Sequence, residues 1–182
     1  MPKSKQKIGQ ISEDEVIFLF EEMVKKWRNS SKHKDDHSHL GRKLFEAVAR
    51  LSASVAYEAV AIRRNKITGK LDVFMQKRKR HQTYAGQWHC PGSIFRPYEK
   101  PADVLKRLER NEFKAELKSD NLCVKDFFID SEIGWLLSRV YIVQIVGKPS
   151  GGKWWPVNAL PKNTVSEHRR LIIPAAVKYF KD

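Results

Sequence analysis

Glu109, Glu112 and Glu116 stand at i, i+3 and i+7 in the run Arg107-Leu-Glu-Arg-Asn-Glu-Phe-Lys-Ala-Glu116. On a helix turning about 100° per residue, the three carboxylates fall within about 60° of one another. Such a face can hold a hard divalent cation, Mg2+ or Mn2+, through oxygen. A cation held there neutralises phosphate charge and activates water. The competing reading is a solvated face, with Lys106, Arg110 and Lys114 pairing with the glutamates at i±3 or i±4. The solvated face is the expected one, because charge runs on helices are common.

Other residues offer other chemistry. Lys77-Arg78-Lys79-Arg80-His81 is a dense basic run. It suits the phosphates of a nucleic acid or a nucleotide, and equally a solvated loop, and both readings stay open. Trp88 can stack on a base. Gly147-Lys-Pro-Ser-Gly-Gly-Lys153 matches the first part of a phosphate-binding loop, but Trp154 stands where Ser or Thr is required. A hairpin loop is expected there, with Lys153 still able to meet a phosphate. His33, His37 and His39 could bind a transition metal. No cysteine or second ligand cluster accompanies them, so a polar loop is expected. Cys90 has no base arrangement beyond His89, and an inert thiol is expected.

The whole chain bounds these readings. Its 182 residues are 41% hydrophobic, which excludes wholesale disorder. Thirty-five Lys and Arg against 21 Asp and Glu leave a net charge of +14. That excess points to anionic partners: nucleotide, nucleic acid or an acidic surface. Two cysteines, Cys90 and Cys123, are too few for a disulfide scaffold and suit a reducing compartment. No apolar run of membrane-spanning length occurs, and the basic start lacks a signal-peptide core. The expectation is a soluble, cytoplasmic protein without a membrane partner.

The positioning elements follow from pattern. Ser12 and Glu15 form a capping box that opens an amphipathic helix from Asp14 to about Arg28. A second helix is expected over 40–51. From Ser54 to Arg63 the chain alternates like a strand, Asn65–Gly69 is a turn, and Leu71–Gln76 returns as a hairpin. Residues 79–93 read as loop. Pro101 opens a helix to about Leu117. Strands are expected at Phe127–Ile129, Val140–Val146 and Trp154–Val157. A last helix, capped by Thr164 or Ser166, runs to about Phe180. The order is mixed, which favours a layered α+β fold.

The stretch Ala59–Ala115 resembles the Nudix family. The hairpin ending in Val73-Phe-Met-Gln-Lys-Arg78 is similar to the family's opening hairpin. Gly86-Gln-Trp88-His-Cys-Pro91-Gly92 is similar to its loop G-x-W-x-x-P-G. The signature G-x5-E-x7-R-E-U-x-E-E-x-G-U follows in register, with Glu99 as its first Glu and Arg107 eight positions later. Lys153–Pro161 resembles the late strand and leucine-proline turn. The resemblance covers about Ser54 to Phe180. It implies an α/β/α sandwich with a mixed sheet over 53–182, preceded by a tail and helical extension over 1–52.

The signature is altered where it would bind metal. Ser93 replaces its first Gly, Leu108 and Asn111 replace two glutamates, Glu109 stands at the aliphatic position, and Lys114 replaces the late Gly. The family buries an aliphatic where Glu109 stands, which favours some rearrangement. The resemblance implies a hydrolase of a nucleoside diphosphate linked to another moiety, using Mg2+ or Mn2+. Glu112 would be the main ligand, assisted by Glu109, Glu116 or Glu99, and Arg107 would orient the carboxylates. Arg78, Arg80, Arg96 and Lys153 would meet phosphates. Trp88 would stack on the base or, as is favoured in this context, pack under its loop. The alternative is an inactive module that binds nucleotide or RNA through its basic surface. The N-terminal extension, with its apolar face, would pack on the domain or form a homodimer.

Overall fold

The computed structural model describes residues 12–30, 52–80, 82–96, 98–131 and 134–181. The helix expected over 40–51 and the three histidines at 33, 37 and 39 lie outside the described residues. The chain divides into two compact units, Met1–Phe45 and Glu46–Asp182. The first contains α1 (Glu13–Ser30). Its capping box is formed: the Ser12 amide donates to Glu15 Oε2 at 2.8 Å, and the Glu15 amide donates to Ser12 Oγ at 3.3 Å. No described helix is long and apolar enough to cross a membrane.

The second unit holds β1 (Ser54–Arg64), β2 (Leu71–Lys77), β3 (Trp88–His89), β4 (Gly92–Ile94), α2 (Pro101–Leu108), β5 (Glu116–Lys118), β6 (Cys123–Ser131), β7 (Gly134–Val146), β8 (Gly152–Pro156) and α3 (Ile173–Lys181). The strands form one mixed sheet. β1 runs parallel to β7 through eight register pairs, from Ser54↔Leu136 to Ala61↔Val143. All its other pairings are antiparallel: β1 with β2 and β4, β2 with β3 and β8, and β7 with β5 and β6.

β1 is central and covered on both faces, so it is buried almost without interruption from Ala56 to Ile62. Its alternation sorts two cores. Tyr57, Ala59 and Ala61 pack with Val104, Leu105 and Leu108 of α2 and with Phe113. Val60 and Ile62 pack with Ile172, Ile173 and Ala176 at and within α3. This is the sandwich, with a helix on each side of the sheet.

β8 approaches β2 closely because Gly152 has no side chain. A Cβ there would lie 2.3 Å from Phe74 Cζ and 2.6 Å from the Met75 carbonyl oxygen. Gly152→Ala is therefore expected to cost about 1–3 kcal/mol, the usual range for overpacking. A lower urea midpoint with unchanged slope would show it.

α2 begins at Pro101 as expected but ends earlier than Leu117. Its α-helical part stops at Leu108, Glu109–Phe113 form one π-helical turn, and Lys114 turns left-handed at φ 53°. The chain then enters β5, where Leu117 is buried in the α2-side core and pairs with Ile145.

Candidate functional site

Glu99 and Arg107 meet fork to fork. Arg107 Nε donates to Glu99 Oε1 at 2.9 Å, and Nη2 donates to Oε2 at 2.7 Å. Two parallel charge-assisted bonds fix both planes. The same guanidinium donates to Ser93 Oγ and, at 3.1 Å, to the Ile94 carbonyl. Glu99 Oε2 also accepts the Arg96 amide at 2.8 Å. Arg107 thus ties the loop after β4 to α2. Ser93, at the position of the signature glycine, supplies one of its acceptors.

The expected face of Glu109, Glu112 and Glu116 is not formed. Glu116 lies on β5, beyond the end of the helix, exposed and 3.7 Å from Lys118. Lys114 takes the left-handed conformation at the position of the signature's late glycine, at a cost of about 1–2 kcal/mol. Glu109 turns towards β5, where its Oε2 accepts the Leu117 amide at 2.8 Å. Leu108 is buried in the core beside Val104, Leu105 and Phe113. The signature places Glu then an aliphatic at these two positions. Here the order is Leu then Glu, so the aliphatic enters the core one residue earlier and the carboxylate is committed to the backbone.

Glu112 remains. Its carbonyl accepts Gln76 Nε2 at 2.9 Å, and its carboxylate acts on the guanidinium of Arg78. Among the described residues, no three His, Cys, Asp or Glu side chains converge as a metal group would need. Glu99 is committed to Arg107 and Glu109 to the Leu117 amide, Asn111 carries no charge, and Leu108 cannot coordinate. These residues do not fit the Mg2+ or Mn2+ set that the resemblance implies.

A buried polar cluster escaped the sequence reading. Glu58, His89 and His168 are buried, and Arg78 is half-buried. Ser138 Oγ donates to Glu58 Oε1 at 3.2 Å. His168 Nδ1 accepts the Cys90 amide at 3.2 Å, and its Nε2 lies 3.9 Å from Glu58 Oε2. Arg78 Nη1 is 3.4 Å from His89 Nδ1, and its Nε donates to the Thr83 carbonyl at 2.5 Å. Gly92 lets this cluster close. A Cβ there would stand 2.6 Å from Glu58 Oε2 and 2.8 Å from the Tyr57 carbonyl oxygen. The only trace in the sequence is a lone acid inside an apolar strand.

Burial raises the Glu58 carboxyl to about 7, against the Ser138 hydroxyl and the Arg78 charge. Burial and then Arg78 hold His168 down at about 3, and the same causes with His168 hold His89 well below its ordinary value. Both imidazoles are neutral near pH 7. A carboxyl raised in the folded state adds stability below its unfolded value and loses it as pH rises through about 7. Glu58→Gln cannot ionise. It is expected to match the wild type near pH 4 and to be more stable near pH 8, by on the order of 1–3 kcal/mol. Denaturation at the two pH values checks this. His168 lies 3.9 Å from the substituted side chain, so its own contribution, lost as pH falls from about 6.5 toward 3, is coupled to residue 58, and the difference at pH 8 is the one that reads Glu58.

The basic run leaves β2 at its edge. Lys77, Lys79 and Arg80 are exposed. The Arg78 amide donates to the Gln87 carbonyl and the Gly86 amide to the Arg78 carbonyl, each at 2.9 Å, closing the base of the loop. Lys77 pairs with Trp88, and its Nζ lies 5.6 Å from that ring centroid. Trp88 packs edge-on against Trp155 with centroids 5.2 Å apart. Lys153 is exposed opposite Met75, two residues from Lys77 on the same face of β2. Lys77, Trp88 and Lys153 therefore share one side of the sheet. Arg96 is half-buried in the loop that Arg107 holds.

No family model matches the sequence, and it matches no curated protein. Solved structures do match. The Ap4A hydrolase of C. elegans aligns with a TM-score of 0.55 and 13% identity, over 71% of this chain and 99% of that one. The MutT NUDIX hydrolase of Burkholderia pseudomallei gives 0.51 and 21%, over 65% and 94%. The NUDIX domain of Shewanella oneidensis NrtR, solved with ADP ribose, gives 0.50 and 20%, over 71% and 89%. At this identity the likeness concerns architecture: the chain has the Nudix fold.

Proposed function

We propose that the chain is a Nudix-fold module that binds a nucleoside diphosphate derivative through fixed side-chain cations and does not hydrolyse it. The observation that carries this reading is the Leu108–Glu109 order. It buries an aliphatic where the signature has a carboxylate and commits the neighbouring carboxylate to the Leu117 amide. Arg78, Lys77, Arg80 and Lys153 then neutralise the diphosphate, with Arg96 offered from the separate loop after β4 that Arg107 holds. Trp88 offers an aromatic ring beside those cations for the base. Arg107 is a positioning residue. It holds the loop through Glu99, Ser93 and the Ile94 carbonyl.

A second reading keeps hydrolysis. It is favoured by the intact Glu99–Arg107 fork and by Glu112, the one signature carboxylate left on the helix. In that reading Glu112 is the protein's sole contribution to a cation that arrives with the phosphates.

Equilibrium titration with ADP-ribose, followed by tryptophan fluorescence, tests the binding reading. Saturable binding unaffected by EDTA is expected. Weakening by about tenfold is expected in Lys77→Ala and in Lys153→Ala, the loss of one charged hydrogen-bonding partner. An absence of binding to ADP-ribose and to other diphosphate nucleotides would overturn it. Binding of single-stranded RNA instead, falling steeply with salt, would move the ligand to nucleic acid.

A further inference from the structure

β1 changes neighbours along its length. It pairs with β2 over 62–64 and with β4 over 56–58. β2 leaves β1 after Val73 and pairs with β3 at Gln76 and Lys77. The sheet divides between these pairings, and the chain over 88–94 crosses the division, on β2 as β3 and on β1 as β4. Polar side chains meet there. Glu58 comes from β1, His89 from β3, and Arg78 follows the last residue of β2. His168 closes the group from the turn before α3.

The groups that face Glu58 come from five different places in the chain. Ser138 of β7 donates to its Oε1, and His168 Nε2 lies 3.9 Å from its Oε2. His89 stands across from His168, with ring centroids 5.8 Å apart. The charge of Glu58 is felt by Arg78 and by the Cys90 thiol, which burial pushes up. Both imidazoles are held well below neutrality. Of these groups, Arg78 alone is cationic near pH 7. Arg78 is also the foot of the basic loop. Its amide and carbonyl bond Gln87 and Gly86, and its Nε donates to the Thr83 carbonyl. Glu112 and Tyr84 act on its guanidinium as well. One side chain therefore joins the buried acid to the loop that carries Lys79 and Arg80.

We propose that Glu58 is a positioning residue whose proton decides how firmly the basic loop holds a diphosphate. The inference rests on the diphosphate-binding reading above. With Glu58 neutral, Arg78 is left to His89, Thr83 and the ligand. With Glu58 ionised, the carboxylate draws on Arg78 and sets a negative charge behind the phosphate site. Burial raises this carboxyl to about 7, so affinity is full below that pH and falls as pH rises through it. Binding and protonation are reciprocal: a bound diphosphate raises the proton affinity of Glu58 by the same factor.

The test measures ADP-ribose affinity from about pH 6 to pH 8.5 in the full chain. A His81→Gln background removes the imidazole that the sequence places in the same basic run. ADP-ribose carries no phosphomonoester, so the ligand does not titrate in this range. The dissociation constant is expected to rise about tenfold across the range and to stay flat in Glu58→Gln. Hydrogen exchange of the Arg78 and Gly86 amides in the free protein gives a reading that needs no ligand. Their protection, corrected for intrinsic exchange, should fall above pH 7 and not do so in Glu58→Gln. Flat affinity and flat protection would overturn the inference, even if the carboxyl titrates and stability follows it. A pH-dependent affinity that persists in Glu58→Gln would also overturn it and assign the titration to another group. Loss of protection in a protein that binds no ADP-ribose would overturn the diphosphate reading and uphold the coupling of Glu58 to the loop.

Discussion

Leu108→Glu is expected to unfold the domain, although it writes back the residue that the Nudix signature carries. Leu108 is 1% exposed within the α2-side core. Removing a buried leucine costs about 2–5 kcal/mol by itself. The new carboxylate would add desolvation with no cation in reach, so the total should exceed about 4 kcal/mol. A domain of this size has about 5–15 kcal/mol in all. Urea denaturation should show a collapsed midpoint, or soluble protein should be lost. A stable Leu108→Glu variant that binds Mn2+ would mean that α2 can rotate, and the reading of the site would be wrong.

Arg107→Leu should be nearly as damaging. It leaves Glu99, 16% exposed at its side chain, without its partner, and removes the donor to Ser93 Oγ and the Ile94 carbonyl. Breaking a buried pair from one side costs about 3–5 kcal/mol. The double variant with Glu99→Leu should recover part of the loss, because no unpaired charge remains. Arg107→Lys should fall between, keeping the charge and losing the fork. Equal denaturation midpoints for Arg107→Leu and wild type would show that the fork adds no stability.

The hairpin of β1 and β2 was legible because alternation and the Asn65–Gly69 turn agree. The start of α2 was legible at Pro101. Its end was not, because Lys114-Ala-Glu-Leu-Lys118 is made of good helix formers. The sheet overrides them: Leu117 is needed in the core opposite Ile145, and Lys114 turns left-handed to deliver it. β3 and β4 have two and three residues, too few to show a period. Longer strands were found but clipped, as with β7, whose first half lies before Val140.

The site was legible where the signature is intact. Its register set Glu99 and Arg107 eight positions apart, with Glu99 expected as an assisting metal ligand; the fork that joins the two came from the structure. The register also marked Glu109 as misplaced for a buried aliphatic, and the structure resolves that misfit by burying Leu108. Glu58 was not legible. Alternation along β1 gives an acid a solvent face, whereas α2 covers one face of this strand and the α3 side covers the other. His168 comes to Glu58 from 110 positions along the chain, a pairing no local pattern announces.

The most direct test of the central claim is phosphorus NMR of ADP-ribose with the protein, first in EDTA and then with excess Mn2+-free Mg2+. Binding without a fixed metal site predicts perturbed diphosphate resonances in both conditions and no new phosphomonoester signal. A phosphomonoester signal that requires Mg2+ and disappears in Glu112→Gln would contradict it and establish a hydrolase.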